Sequence, residues 1–210
     1  MPVPAQRILV ILGLLALLLL ATSDVLRSEE LQTSENESYA QVRRGQASIP
    51  IGHADFCMRY GRECGLNRQA VPFVEITDAR WYELTKVNAR FNTTIQQVTD
   101  EANYQVEELW DYPVSRGDCE DFALAKRRAL IEAGWNPSVL LMTVVKRPDG
   151  EGHAVLMVRT DRGDLILDNL DSFVRVWKDT PYAYLKRQSQ THAGQWVDIL
   201  DTREVFVASR

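Results

Sequence analysis

The chain has no concentration of positive charge. Its 24 lysines and arginines are outnumbered by 29 aspartates and glutamates, and the formal net charge is -5. Proteins that bind nucleic acids need a basic patch or stripe to neutralise phosphates, so nucleic acid is not an expected partner. No internal repeat divides the 210 residues either. One compact globular domain is therefore expected.

A long hydrophobic run is also missing. The apolar run at residues 8–21 is about 14 residues long, shorter than the ~20 residues of a membrane-spanning helix. Arg7 precedes this run and the small residues Ala21 and Ser23 end it, which is typical of a secretory signal peptide at residues 1–23. An uncleaved amino-terminal membrane anchor is the alternative interpretation. Both predict that the folded part lies outside the cytoplasm, in the periplasm.

Residues 24–48 lack the periodic apolar positions of a helix or a strand. They are polar and acidic, a composition typical of segments that do not fold by themselves. We therefore expect a flexible linker at residues 24–48 and a folded domain at residues 49–210.

Cysteine is scarce, with only 3 in the chain. Cys57 and Cys64 lie close together in sequence, whereas Cys119 stands alone. In an oxidising compartment, the number and spacing of the cysteines predict a Cys57–Cys64 disulfide and one free thiol. Two alternatives stay open: both cysteines are reduced, or they bind zinc together with His53, although a fourth ligand is missing. Chemical reactivity would explain an unpaired thiol in an exported protein.

The apolar periodicity predicts helices first and strands afterwards. Helical spacing of apolar residues is followed, beyond Gly134, by β-branched and apolar runs separated by turns. This order is typical of an α+β fold in which a helical part precedes an antiparallel sheet. The predicted elements are helices at residues 78–91 and 117–134 and strands at residues 138–145, 153–159, 164–168, 173–177 and 195–199.

Cys119 lies at the predicted start of the second helix, where Asp118 can cap the first turn. The unpaired amide groups and the dipole at a helix start favour a thiolate, the form in which cysteine is a nucleophile. The carboxylates of Asp118, Glu120 and Asp121 oppose this effect, because nearby negative charge raises the pKa of a thiol.

Two groups can offset these acids. One is His153, as an imidazolium partner of the thiolate. The other is a divalent cation held by Asp118, Glu120 and Asp121, since clustered carboxylate oxygens suit calcium. The alternative interpretation is that acids in a first helical turn only complement the helix dipole.

His153 opens one predicted strand and Asp168 ends the next. If the two strands pair as a hairpin, Asp168 can accept a hydrogen bond from His153, which gives a Cys119, His153 and Asp168 triad. The backbone amide of Cys119 and one further donor would form an oxyanion hole, with Trp110 as a candidate for that donor.

The stretch from Gly117 to Ala123 reads Gly-Asp-Cys-Glu-Asp-Phe-Ala, and it is followed by Gly152-His153 and by Leu167-Asp168-Asn169. These motifs resemble the bacterial transglutaminase-like cysteine peptidase family, which includes a periplasmic protease that releases biofilm adhesins. The resemblance covers roughly residues 51–175.

The resemblance implies a papain-like, transglutaminase-like fold and cleavage of a peptide bond through a thioester. It also implies a calcium site beside the nucleophile, matched here by Asp118 and Glu120, with Asp121 less securely placed. The implied partners are a protein substrate such as a large surface adhesin, and a membrane-bound regulatory receptor. The Cys57–Cys64 loop and the tail beyond about residue 178 are not part of the shared motifs.

The hypothesis with the most support is thus a periplasmic cysteine endopeptidase. An acyl transferase could use the same triad, with an amine in place of water. A catalytically silent domain could hold a peptide in the same cleft, and a structural calcium module could leave Cys119 buried and unreactive.

Overall fold

The computed structural model describes residues 38–203 and residue 205. The predicted signal peptide or anchor at residues 1–23 lies outside the described residues, as do residues 24–37 of the predicted linker.

Four α-helices lie in the described region, and all four precede the main sheet. Threonine side chains cap two of them: the hydroxyl of Thr77 accepts from the amide of Arg80, and that of Thr99 accepts from the amide of Ala102. No helix among the described residues is long and apolar enough to cross a membrane. The helices are α1 Ile51–Arg59, α2 Asp78–Thr94, α3 Asp100–Tyr104 and α4 Cys119–Glu132; three short 3-10 helices are Gly61–Cys64, Pro137–Val139 and Trp177–Asp179.

A six-stranded antiparallel sheet follows the helices and confirms the predicted α+β architecture. The strands lie in the order β6-β5-β4-β3-β7-β8, so β3 to β6 form a meander and β7 returns beside β3. Two further strands, β1 and β2, form a short parallel pair just before α4. The strands are β1 Gln96–Gln97, β2 Arg116–Gly117, β3 Leu140–Lys146, β4 Gly152–Thr160, β5 Gly163–Leu167, β6 Arg175–Val176, β7 Ala183–Gln188 and β8 Trp196–Asp198.

The main sheet is covered on both faces. One face packs against α4 in a cluster that includes Leu130 and Leu156, and the other buries Met157 and Trp177. Because both faces are buried, the central strands are almost continuously apolar instead of alternating with polar residues. The start of α4 is thereby held against β4, the strand that begins with Gly152 and His153.

Residues 38–48, which the sequence predicts to be part of a linker, contact the sheet. The backbone amide of Ala40 donates to the buried carboxylate of Asp164 over 2.9 Å, and the amide of Asp164 donates to the carbonyl of Ser38. Val42 and Ala47 pair with residues in and next to β8. These partners are more than a hundred residues away, so composition alone gives no sign of them.

Candidate active site

The turn before α4 brings the nucleophile candidate into position. A Cβ atom at Gly117 would lie 2.5 Å from the Oδ2 atom of Asp121, so the turn requires glycine there. Asp118 is the residue before the first turn, but its side chain does not form the capping hydrogen bond that the sequence predicts. Cys119 is therefore the first residue of α4, and the preceding Asp118 does not cap the helix.

The thiol of Cys119 contacts two groups. The backbone amide of Ala154 donates to Sγ over 3.3 Å, and Sγ donates to the Oε2 atom of Glu120 over 3.2 Å. Burial raises the pKa of the thiol well above its usual value, the charge of Glu120 raises it further, and the Ala154 amide works in the opposite direction. Among the described residues Sγ forms no hydrogen bond with His153.

His153 and Asp168 form a buried pair at the mouth of the β4–β5 hairpin. The Nε2 atom of His153 lies 2.8 Å from the Oδ1 atom of Asp168, and the two residues are 5% and 3% exposed. An ionised carboxylate can only accept, so Nε2 carries the proton and Nδ1 is left as the acceptor. The imidazole thus presents a lone pair that can take a proton.

Asp168 is well supplied with donors. Its Oδ1 atom also accepts from the amide of Leu170 over 3.0 Å, and its Oδ2 atom accepts from the hydroxyl of Tyr182 over 2.5 Å. Burial alone would raise the pKa of Asp168, but these donors and the His153 side chain hold it below its ordinary value. Tyr182 lies in the tail beyond residue 178, which the sequence motifs do not cover.

Two asparagines of α2 hold the loop that carries Asp168. Asn92 Nδ2 donates to the carbonyls of Asp168 and Asp171 over 2.8 and 3.2 Å, and the fully buried Asn88 donates to the carbonyl of Asp171 over 3.0 Å. Their spacing of four residues places both on one face of the helix. That spacing was the only sequence signal for this role.

A second group of carboxylates lies next to Cys119. Asp100, Asp118 and Glu120 each present one oxygen within 4.8 Å of the others. Each also has a buried oxygen for which no hydrogen-bond donor is found among the described residues. The structure thus brings Asp100 to the predicted ligands Asp118 and Glu120, although 18 or more residues of sequence separate them.

Asp121, the third predicted ligand, is not part of this group. Its Oδ1 atom accepts from the backbone amide of Asp111 over 2.9 Å and so fixes the loop before β2. Asp100 fixes the same loop two residues earlier, through a short hydrogen bond from the amide of Leu109. The two acids together hold the segment around Trp110 against α4.

Burial raises the pKa of Asp100, Glu120 and Asp121. The pKa of Asp100 rises to about 6, that of Asp121 to about 8 and that of Glu120 to about 10, with burial as the largest cause and neighbouring carboxylates adding to it. Crowded carboxylates without donors either hold protons or bind a cation. Their oxygens are the ligand type that calcium uses, so the residues fit a hard divalent cation.

A disulfide joins Cys57 to Cys64, with an S–S distance of 2.05 Å. His53 lies beside it, with Nδ1 3.6 Å from the sulfur of Cys57. Because the two sulfurs are bonded to each other, they are not available as thiolate ligands, and the alternative zinc site of His53, Cys57 and Cys64 is not formed. Cys119 is the free cysteine of the described region.

Trp110 does not offer the second oxyanion donor that the sequence suggests. Its indole Nε1 donates to Glu108 over 2.6 Å, and its ring packs edge-on against His53 and Trp196. The side chain is only 2% exposed. Its role in the structure is packing.

The chain is similar to known proteins in sequence and in structure. The family model of bacterial transglutaminase-like cysteine proteinases matches residues 43–204, which is more than half of the chain. No curated protein matches the chain. Solved structures of LapG from Legionella pneumophila are similar at low TM-scores.

One LapG structure is 28% identical, covers 55% of this chain and 67% of that one, and has a TM-score of 0.47. An EGTA-treated form is 24% identical over 64% of this chain and 74% of that one, with a TM-score of 0.48. A calcium-bound form is 21% identical over 76% and 82% of the two chains, with a TM-score of 0.47.

Proposed function

The chain belongs to the family of bacterial transglutaminase-like cysteine proteinases, and we propose that it is an endopeptidase with Cys119 as nucleophile, His153 as base and Asp168 as orienting residue. Membership of this family makes it a cysteine peptidase with a transglutaminase-like fold. The assignment of roles to the three residues is our inference from their geometry.

The assignment rests on one observation: the Cys119 thiol and the His153 imidazole both lie at the start of β4. The amide of Ala154 contacts the Sγ atom of Cys119, and its neighbour His153 is bonded to Asp168. Two residues adjacent in sequence therefore contact the nucleophile candidate and the orienting carboxylate. This supports a Cys-His-Asp arrangement.

In the proposed reaction His153 Nδ1 takes the proton of the Cys119 thiol, and the thiolate attacks the carbonyl carbon of the substrate. The imidazolium then gives the proton to the departing amine, which leaves an acyl thioester on Cys119. Water, deprotonated by His153, hydrolyses the thioester and regenerates the thiol. For the first step the thiol must leave Glu120, which now accepts its hydrogen bond.

We also propose that Asp100, Asp118 and Glu120 hold a calcium ion. The support is the set of three close carboxylates whose buried oxygens have no donors in the described region. A bound calcium ion would supply positive charge where the carboxylates now discourage ionisation of the thiol.

The proposed location is the periplasm, with the signal-like pattern of residues 1–23 as the support. An exported peptidase meets exported and cell-surface proteins, so the proposed substrate is one of these. A large surface adhesin is the substrate that the family resemblance implies, and a membrane-bound receptor is the implied regulator.

The test is to incubate an envelope protein fraction with the wild-type enzyme or with Cys119→Ala, in calcium, and to identify new amino termini by mass spectrometry. New amino termini that require Cys119 are expected. A dansylated amine in a parallel sample tests acyl transfer, since the transferase alternative predicts labelled proteins in place of new termini. Cleavage that persists in Cys119→Ala would show that the nucleophile is assigned wrongly.

A further inference from the structure

Tyr182 contacts both members of the His153–Asp168 pair. Its hydroxyl donates to the Oδ2 atom of Asp168 over 2.5 Å. Its ring packs edge-on against the imidazole of His153, with the ring centroids 5.4 Å apart. Tyr182 is itself 7% exposed. One side chain thus contacts both the orienting carboxylate and the base.

The two oxygens of Asp168 have different partners. Oδ1 faces Nε2 of His153 and the amide of Leu170, whereas Oδ2 receives the tyrosine hydroxyl. A carboxylate rotates easily about its last bond unless both oxygens are held. The hydroxyl of Tyr182 therefore keeps Oδ1 directed at His153.

Arg203 fixes the segment that carries Tyr182. Its guanidinium donates to the carbonyl of Tyr182 over 2.7 Å and to that of Lys178 over 3.0 Å. It also packs over the ring of Trp177, 4.3 Å from the centroid, and pairs with Asp201 over 2.7 Å. A planar group with five donors can hold several carbonyls of one loop at once. The carboxyl-terminal part of the described chain thereby determines where Tyr182 lies.

From these contacts we infer that Tyr182 is a positioning residue of the peptidase: its hydroxyl and ring hold Asp168 and His153 in the orientation that activates Cys119. The inference rests on the proposed roles of Cys119, His153 and Asp168. It extends the site beyond residue 178, past the sequence motifs that carry the resemblance but within residues 43–204 that the family model matches.

Tyr184 offers a matched control. It is also a buried tyrosine, at 2% exposed, and its hydroxyl lies 3.0 Å from the hydroxyl of Thr180 without contacting Asp168 or His153. Tyr182→Phe and Tyr184→Phe each remove one buried hydroxyl and keep the ring. Only the first removes a donor from the orienting carboxylate.

The charged and titratable groups around this pair come from several elements. His153 lies on β4, and the charge of Asp168 acts on Lys126 of α4. Asp171 in the loop after β5 and Tyr184 on β7 act on Tyr182. None of these groups is altered in Tyr182→Phe. A changed pH profile in that variant therefore reports on the missing hydroxyl.

The experiment measures the rate at which iodoacetamide alkylates Cys119 between pH 5 and pH 10, in calcium-containing buffer. It compares the wild type with Tyr182→Phe, Tyr184→Phe and His153→Ala. No substrate is needed, and Cys119 is the free cysteine of the described region. Circular dichroism and thermal unfolding check that each variant is folded.

We expect Tyr182→Phe to alkylate about tenfold more slowly at pH 7, a loss equivalent to one hydrogen bond to a charged group. The midpoint of its profile should move to higher pH, towards that of His153→Ala, because a misaligned imidazole no longer assists ionisation. Tyr184→Phe should stay within about twofold of the wild type.

A Tyr182→Phe profile equal to that of the wild type, or shifted to lower pH, would overturn the inference. A lower midpoint would mean that the hydroxyl only withdraws charge from Asp168. If His153→Ala itself alkylates like the wild type, the assignment of the base fails instead. The two failures are thus distinguishable.

Discussion

The candidate site contains one isolated carboxylate, Asp168, and a group of three, Asp100, Asp118 and Glu120, and the two are built in opposite ways. Asp168 receives donors on both oxygens, and its pKa is held below the ordinary value. Asp100, Asp118 and Glu120 crowd together, and each has a buried oxygen without a donor in the described part of the chain. Burial raises the pKa of the Glu120 carboxyl group to about 10.

The difference shows what each group is suited to hold. A carboxylate saturated by protein donors needs no further partner and can orient an imidazole at any pH at which it stays ionised. Carboxylates without donors are costly unless they bind protons or a cation from solution. The first group is complete within the fold, and the second depends on what the solvent supplies.

The largest expected effect is on peptidase activity, when Asp168, whose two oxygens both have donors, is replaced. Asp168→Asn keeps the shape of the side chain but removes its charge, and it allows the wrong tautomer of His153. Peptidase activity should fall by about 10² to 10⁴, measured on whichever substrate the envelope experiment identifies. Asp198→Asn, at an exposed position on β8, is the control and should leave activity unchanged. Equal activity of Asp168→Asn and the wild type would remove Asp168 from the site.

An intermediate effect, on stability, is expected when calcium binds to the group of Asp100, Asp118 and Glu120. Within this group, the carboxyl groups of Asp100 and Glu120 titrate near 4 in the unfolded chain, but at about 6 and about 10 in the folded protein. The folded state therefore holds more protons between those values, and its stability falls as the pH rises from about 4 through this window.

Calcium should reverse that loss. Millimolar calcium should raise the midpoint of thermal unfolding by about 5 to 10 °C at pH 8, as expected for a ligand near 100 times its Kd, and by less at pH 5, where protons compete. Calorimetry with calcium or EGTA measures this, with Glu120→Gln as the variant in which the shift should shrink. A calcium shift that is equal at both pH values, or absent, would contradict the proposed cation site.

The smallest expected effect on stability comes from Lys126, a buried cation on α4. It is fully buried on α4, its Nζ has no hydrogen-bond acceptor among the described residues, and burial lowers its pKa to about 7 although the charge of Asp168 opposes this. The unfolded chain binds the proton up to about pH 10.4. Stability should therefore rise with pH between about 7 and 10 from this group.

Lys126→Met should remove that pH dependence and stabilise the protein at pH 6 by about 1 kcal/mol, as is common when a buried charge is replaced by an apolar side chain. Urea unfolding at pH 6 and pH 9.5 measures it. Lys86→Met, at an exposed position on α2, is the matched control. A variant that is less stable than the wild type at pH 6 would show that Lys126 is a needed counter-charge of Asp168.

Local periodicity predicted the parts of the fold that have strong apolar patterns. The helices α2 and α4 and the strands β3, β4 and β5 lie where the sequence predicts them, because each has an apolar pattern of its own. The helix α1 was missed, since it begins after Pro50 without a capping side chain and buries few residues. On α2 the apolar Trp81 is 42% exposed, while the polar Asn88 is fully buried, so residue polarity alone does not identify the buried face of this helix.

The candidate site was predictable where its residues follow one another in recognisable order. The helix start and the hairpin that follows it predict Cys119, His153 and Asp168, and the structure brings these residues to one strand end, while their catalytic roles stay a prediction. Asp100 and Tyr182 are not predicted as site residues, because their contacts with Asp118 and Asp168 join residues 18 and 14 positions apart that no local pattern connects. The position of Asp121 in the first turn predicts a metal ligand; in the structure its Oδ1 atom accepts from the amide of Asp111, and it lies outside the close group of Asp100, Asp118 and Glu120.

The most direct test of Cys119 activation is the rate of its alkylation at pH 7 in calcium, after chelation with EGTA, and in His153→Ala with calcium. We expect fast labelling of the wild type in calcium and rates at least about tenfold lower in both other samples, because the thiolate then loses either the imidazolium or the charge that offsets the acids. Equal rates in all three samples would contradict the claim that His153 and a bound cation activate Cys119.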